Sequence, residues 1–185
     1  MIALPMRLRW PLWAAARTAW RLTFPSARPE RTYEDAPSRY SFGWSRGKER
    51  LDGDRADVHK GSWYNNPLTD DAVTDDVALQ ARYPGMLRAN IWPDAHVPEM
   101  REAFRSLGTL VIQVGALVAR ACDAYVEEVQ EGRGGALESA VRDSRNPKAR
   151  LLHYYPTTGG EGDDANWCSV HTGERALRCA TEESH

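Results

Sequence analysis

The fold assignment depends on KARLLHYYP, residues Lys148 to Pro156. Its central part, Ala149 to Tyr155, is short and rich in aliphatic and aromatic residues, a composition that predicts a β-strand. A polar, glycine-rich loop follows. WCSVHT, residues Trp167 to Thr172, then predicts a second strand over Trp167–His171. The two strands indicate a sheet in the carboxyl-terminal part of the sequence.

The segment before KARLLHYYP predicts two helices. From Pro98 to about Gln130, apolar residues recur at steps of mostly three and four, which is the period of an α-helix. The apolar stripe is wide and predicts a well-buried helix, in which Gly108 and Gly115 permit close packing against a neighbour. Gly132 ends this helix, and Ala136 to Asp143 predicts a second, short one.

Residues 30–95 are interrupted by many prolines and glycines, which excludes long regular elements and predicts extended segments, turns and short helical pieces. The aromatic residues of this region are expected to attach it to the core. They are Tyr40, Phe42, Trp44, Trp63, Tyr64 and Trp92. Four acids form a cluster: Asp70, Asp71, Asp75 and Asp76. Such carboxylates suit a hard cation, but a solvated loop is the interpretation we prefer.

Composition limits the partners and the compartment. The net charge of −2 gives no basic field for nucleic acid. Three scattered cysteines favour a reducing compartment over a disulfide framework. No uninterrupted apolar run reaches the ~18 residues typical of a membrane span. Residues 1–29 contain no acid and five arginines, which suits a transit peptide or a leader with no folded role. We therefore expect a cytoplasmic protein, or an organellar one if this leader is a transit peptide.

Taken in order, several segments resemble the isopenicillin N synthase-like family of non-haem iron, 2-oxoglutarate-dependent oxygenases. Besides KARLLHYYP and WCSVHT, they are SFGWSRGKERLDG (41–53), KGSWYNNPL (60–68) and NIWP (90–93), so the resemblance covers roughly residues 38–172. It implies an α+β fold, with a helical amino-terminal part followed by the first strands of a double-stranded β-helix, or jelly roll. It also implies a dioxygenase that uses Fe(II) and 2-oxoglutarate on a small-molecule substrate.

The resemblance assigns two site residues. His171 stands at the first iron-ligand position, and Tyr155 stands where related enzymes often contact 2-oxoglutarate; His153 replaces an Asn of plant relatives. Iron in this family is held by two His and one carboxylate. The carboxylate follows the first His by two residues, on the same face of an extended segment. Gly173 occupies that position here, and the one later histidine, His185, is too near to be the second His.

The resemblance therefore stops after Thr172, and residues 173–185 form a tail unlike the family. Arg175 and Arg178 are too close to His171 to be the arginine that pairs with 2-oxoglutarate. We expect a leader (1–29), a partial oxygenase domain (30–172) and this tail, with at most one of three iron ligands and no oxidation by this chain alone. The first strands would expose an unpaired edge and an apolar face, which lowers stability or favours capture by a partner.

Two non-catalytic alternatives stay open. The first is a pseudoenzyme or partner-binding fragment that pairs with a full-length relative through the exposed strand edge. The second is a small zinc-binding module. Its ligands would be Cys168, His171, Cys179 and His185, in the pattern C-x2-H-x7-C-x5-H. The stretch between the two pairs is shorter than structural zinc motifs usually have.

Overall fold

The computed structural model of the chain describes residues 30–50, 56–132 and 134–155. These residues form two 3-10 helices, three β-strands and three α-helices. In chain order they are the 3-10 helices Glu30–Tyr33 and Ala36–Ser38, strands β1 (Gly43–Arg46) and β2 (Lys60–Asn65), helices α1 (Val77–Arg82), α2 (Met100–Val129) and α3 (Ala136–Asp143), and strand β3 (Ala149–Tyr154). The described chain is thus α+β, as the resemblance implies.

The three strands form one antiparallel sheet in the order β1-β2-β3. In the central row, Trp63 of β2 pairs with Trp44 of β1 on one side and Leu151 of β3 on the other. The prediction that the strands follow a helical amino-terminal part is wrong about the order of these elements. β1 and β2 precede the α-helices and supply two of the three described strands, because their alternating side chains cover the same core as β3.

The strand predicted over Ala149–Tyr155 is confirmed, and it ends at Tyr154. All six of its residues pair with β2, from Asn65 with Ala149 to Lys60 with Tyr154. The second predicted strand, Trp167–His171, lies outside the described residues, as do the leader and the carboxyl-terminal tail. The pairing shows that the first predicted strand belongs to a sheet whose other members come from residues 43–65.

Both predicted helices are confirmed. The long helix α2 runs from Met100 to Val129, and α3 covers Ala136–Asp143. Close packing at Gly108 is confirmed as well. A Cβ at Gly108 would lie 2.4 Å from Cβ of Pro67, so this glycine lets α2 approach the segment that follows β2. α3 packs back on α2, where the Asp123 carboxylate accepts hydrogen bonds from the amides of Leu137 (3.0 Å) and Glu138 (2.8 Å).

The prediction that α2 is well buried is wrong for its second half. Apolar side chains there are between 44% and 66% exposed; they are Val114, Leu117, Val118, Tyr125 and Val129. Met100 and Phe104, near the start of the helix, are buried in the aromatic cluster. The described sheet and its loops cover only this first half, because the three strands are four to six residues long.

Length and composition alone would let α2 cross a membrane, and it is the one helix of the described residues that passes this test. Its most apolar window has a mean hydropathy of 1.4, and 28% of that window is buried. Core helices of soluble proteins meet the same criterion, so this is weak evidence for a membrane. The charged Arg120 and Asp123 lie on α2 and bond to α3.

Aromatic side chains build the core, as the sequence predicts. Phe42, Trp44 and Trp63 are fully buried, and Trp92 is 9% exposed, whereas Tyr40 and Tyr64 are half-buried. Trp44, Trp63 and Trp92 form one cluster with residues of α2 and the loop before it, namely Val97, Met100 and Phe104. The core therefore lies between one face of the sheet and the start of α2.

Candidate functional site

The end of β3 brings together an arginine, a histidine and a tyrosine. In the sheet, Arg46 lies opposite Gly61, and Gly61 lies opposite His153. Residues that face each other in this way point to the same side of the sheet. Tyr155 follows two residues after His153, and its amide donates to the carbonyl of His59 (2.8 Å). The three side chains therefore share the edge of the core face.

The Tyr155 ring lies between the other two side chains. The guanidinium carbon of Arg46 is 4.0 Å from the centroid of the Tyr155 ring. The His153 ring meets Tyr155 edge-on, with the centroids 4.9 Å apart and an interplanar angle of 89°. Arg46 is fixed in turn because its Nε donates to the carbonyl of Val58 (3.1 Å). We refer to Arg46, His153 and Tyr155 as the β3-end cluster.

Of the predicted site residues, the structure describes Tyr155 and His153. His171, the predicted iron ligand, lies outside the described residues, as do Gly173 and the predicted zinc ligands Cys168, Cys179 and His185. Residues 30–50, 56–132 and 134–155 contain no group of three His, Cys, Asp or Glu side chains that could hold a metal ion. The described residues alone therefore do not fit an iron centre, whereas Tyr155 beside a guanidinium does fit a carboxylate contact.

The opposite face of the sheet carries an ionic network that the sequence analysis missed. Lys60 binds Glu49 (2.9 Å) and Asp57 (2.8 Å). Glu49 also accepts hydrogen bonds from Tyr64 Oη (2.9 Å) and from Arg150 (2.7 Å). A shallow surface groove, lined in part by Ser45, Lys48 and Ser62, borders this network. One lysine and one arginine charge balance the two carboxylates, so the ion pairs are satisfied within the network. The polar alternation of Lys60, Ser62 and Tyr64 in β2 was the sequence signal for it.

Burial and pairing shift the pKa values in this network. Burial is the largest cause that raises the pKa of Tyr64 to about 12, and the neighbouring Glu49 carboxylate adds to it. Burial alone would also raise the pKa of Glu49. The hydrogen bond from Lys60 and the charge of Arg150 outweigh it and hold the Glu49 pKa below its ordinary value. Glu49 is therefore ionised at neutral pH, and Tyr64 is a neutral donor to it.

Replacing Glu49 by glutamine should lower the pKa of Tyr64. It should stay above the ordinary value of 10.0, because burial is the larger cause. The pKa is measured from phenolate absorbance as the difference between each protein and its Tyr64→Phe variant. Glu138→Gln is the control, because the described ion-pair partners of Glu138 are Arg120 and Arg142 on other elements than the sheet. Since the folded pKa is raised, the stability that Tyr64 contributes is complete below pH 10 and is lost as the pH rises towards about 12. An unchanged Tyr64 pKa in Glu49→Gln would contradict this assignment.

Two of the four clustered acids, Asp70 and Asp76, use their carboxylates for contacts within the protein. Asp70 is bonded to Arg101 (3.3 Å) and Arg105 (3.1 Å). Asp76 caps α1, where its carboxylate accepts the Leu79 amide (3.0 Å). Asn90 and Trp92 also donate to the Asp70 carboxylate, so the preferred interpretation of a solvated loop is wrong for this residue.

Comparison with protein-family models, with curated proteins and with solved structures finds no match to this chain. The family resemblance therefore stands on the sequence segments that carry it. Oxygenase activity, iron and 2-oxoglutarate remain predictions.

Proposed function

We propose that these residues form the amino-terminal part of an oxygenase domain of the isopenicillin N synthase-like family, which uses Fe(II) and 2-oxoglutarate on a small organic molecule. The observation that carries the proposal is the β3-end cluster. Ala149–Tyr154 of KARLLHYYP forms a paired strand, and the tyrosine expected to contact 2-oxoglutarate, Tyr155, directly follows it beside a guanidinium. The described sheet would then be the beginning of a jelly roll.

A polypeptide of these 185 residues would not turn over 2-oxoglutarate by itself. By resemblance it offers His171 as one of three iron ligands, with Gly173 where the carboxylate is expected. A bound ferrous ion would supply oxygen activation, which needs a carboxylate and a second histidine from other residues. What the chain's own residues would do is position the co-substrate at the end of β3.

A chimera tests the proposal. The residues after Thr172 are replaced by the matching half of a complete relative, which brings the carboxylate, the second histidine and the arginine. We expect succinate release that requires Fe(II) and 2-oxoglutarate. His171→Ala should abolish it, whereas His96→Ala, an exposed histidine before α2, should retain it. A folded chimera that releases no succinate would contradict the family assignment. Turnover by the unmodified 185-residue polypeptide would contradict the account of missing ligands.

Pairing with a full-length relative is the second candidate function. β3 pairs with β2 along one edge, and no described strand pairs with its other edge. Leu152 and Tyr154 of β3 are 36% and 39% exposed. An exposed strand edge with apolar side chains is a surface for strand addition. Co-purification with a complete relative, lost when Leu152 is replaced by proline but retained in Val77→Pro at the start of α1, would support this function; retention in both variants would contradict it.

A further inference from the structure

The guanidinium of Arg46 has one face and one edge occupied. Its face lies over the Tyr155 ring at 4.0 Å, and its Nε donates to the Val58 carbonyl at 3.1 Å. These two contacts hold the guanidinium in place without using its two terminal nitrogens. A planar fork of N–H donors held in this way can donate two parallel hydrogen bonds to a carboxylate.

Two carboxylates of the described residues on neighbouring segments, Asp57 and Glu49, are bonded elsewhere. Asp57 binds Lys60 (2.8 Å) and accepts the His59 amide (3.2 Å), while Glu49 binds Lys60 and Arg150. Among the described residues, neither terminal nitrogen of Arg46 has a carboxylate or carbonyl partner, although most arginines of the same region are paired. Examples are Arg88 with Asp35, Arg101 with Asp94, and Arg150 with Glu49.

The central strand places no side chain between Arg46 and His153. Gly61 stands between Arg46 and His153 in the row across the sheet, and the Trp44 indole lies over it; a Cβ at Gly61 would be 2.2 Å from the indole. With no side chain from the central strand between them, Arg46 and His153 both reach Tyr155. A ligand at this edge would meet a cation, an imidazole and an aromatic ring.

We propose that the β3-end cluster binds a small carboxylate through the terminal nitrogens of Arg46. In taking a 2-oxo dicarboxylate as the ligand, this inference rests on the proposed function. Arg46 would then be a carboxylate-binding residue supplied by β1, ahead of the helices, in addition to the contact expected of Tyr155. Arg46 is a binding and positioning residue in this proposal and takes no part in oxygen chemistry.

Isothermal calorimetry of the full 185-residue chain tests the proposal. 2-Oxoglutarate and glutarate are titrated in buffer freed of metal by a chelating resin, with the uncharged dimethyl ester of glutarate as the ligand control. We expect both acids to bind and the ester not to bind. Arg46→Gln should weaken binding by about 10- to 100-fold, because a hydrogen bond to a charged group is lost. Arg46→Lys, which keeps the charge but lacks the fork, should show a smaller loss.

Arg82→Gln is the matched control, because the Arg82 guanidinium also lies over a tyrosine ring, that of Tyr83, at 5.3 Å from the centroid. It should bind both acids as the wild type does. Equal affinity of wild type and Arg46→Lys for the acids, or no binding of either acid by the wild type, would overturn the proposal. Binding here with an inactive chimera would refute the oxygenase function and leave a general carboxylate site, whereas an active chimera without Arg46-dependent binding would refute this site alone.

Discussion

Replacing Trp63 by alanine should destabilise the domain by about 3–5 kcal/mol, the loss that is typical of a large buried aromatic side chain. Trp63 is fully buried in the central strand. Its ring centroid lies 5.6 Å from that of Tyr33 and 6.3 Å from that of Trp44. Its Nε1 donates to the Ile91 carbonyl (3.2 Å), which ties β2 to the segment before α2. The change therefore removes apolar contact and a link between two distant segments.

Urea unfolding followed by far-ultraviolet circular dichroism measures this effect without relying on tryptophan fluorescence. Trp63→Phe keeps most of the apolar volume and should recover more than half of the loss. Tyr125→Ala removes an aromatic side chain that is 66% exposed on α2 and should have little effect. If Trp63→Ala were as stable as Tyr125→Ala, the described core would be wrong.

Elements set by local sequence could be predicted almost to the residue. α2 and α3 have apolar residues at helical spacing and a glycine between them, and these features act within a few turns. β3 was also predicted from a short local run. The partner of β3 could not be predicted in this way. β2 precedes α2 and α3 in the chain, whereas β3 follows both helices. Pairing of distant strands depends on the whole fold, and no local pattern specifies it.

The β3-end cluster shows the same limit for the candidate site. Tyr155 was singled out from the resemblance, but Arg46 had no signal of its own beyond lying in the segment SFGWSRGKERLDG. Its stacking on Tyr155 exists because β2 sets the register of both outer strands. The exposed second half of α2 shows a further limit of prediction from sequence. An apolar stripe predicts that a helix face can be covered, but it does not say which residues cover it.

Asp70 differs from its acidic neighbours because residues from two other segments converge on it. Trp92 Nε1 (2.8 Å) and Asn90 Nδ2 (3.1 Å) donate to one oxygen, and Arg101 and Arg105 bind the other. Arg105 also donates to the Leu68 carbonyl (3.1 Å). Asp70 therefore joins the segment after β2 and the segment before α2 to the first turns of α2. The sequence shows four equivalent acids, and only the fold distinguishes this one.

Replacing Asp70 by alanine should cost about 1.5–3 kcal/mol, the range for hydrogen bonds to a charged group. The side chain is 26% exposed, and solvent therefore screens part of its ion pairs. The measurement is urea unfolding at neutral pH. Asp71→Ala is the control, because Asp71 is exposed and its described hydrogen bond, to Thr69 Oγ1, comes from its backbone amide. Equal stability of the two variants would contradict the role given to Asp70.

The same residue should make stability depend on pH in the acid range. Burial alone would raise the pKa of Asp70, but hydrogen bonds from Asn90 and Trp92 and the charges of Arg105 and Arg101 hold it below the ordinary value of 3.8. Since the folded pKa is lowered, the contribution is complete well above 3.8 and is lost as the pH falls through the folded pKa. Asp70→Asn keeps the shape but not the charge. The difference in unfolding free energy between wild type and Asp70→Asn should therefore shrink as the solution is acidified. A difference that stays constant down to the lowest pH at which the protein folds would show that the carboxylate charge has no part in joining these segments.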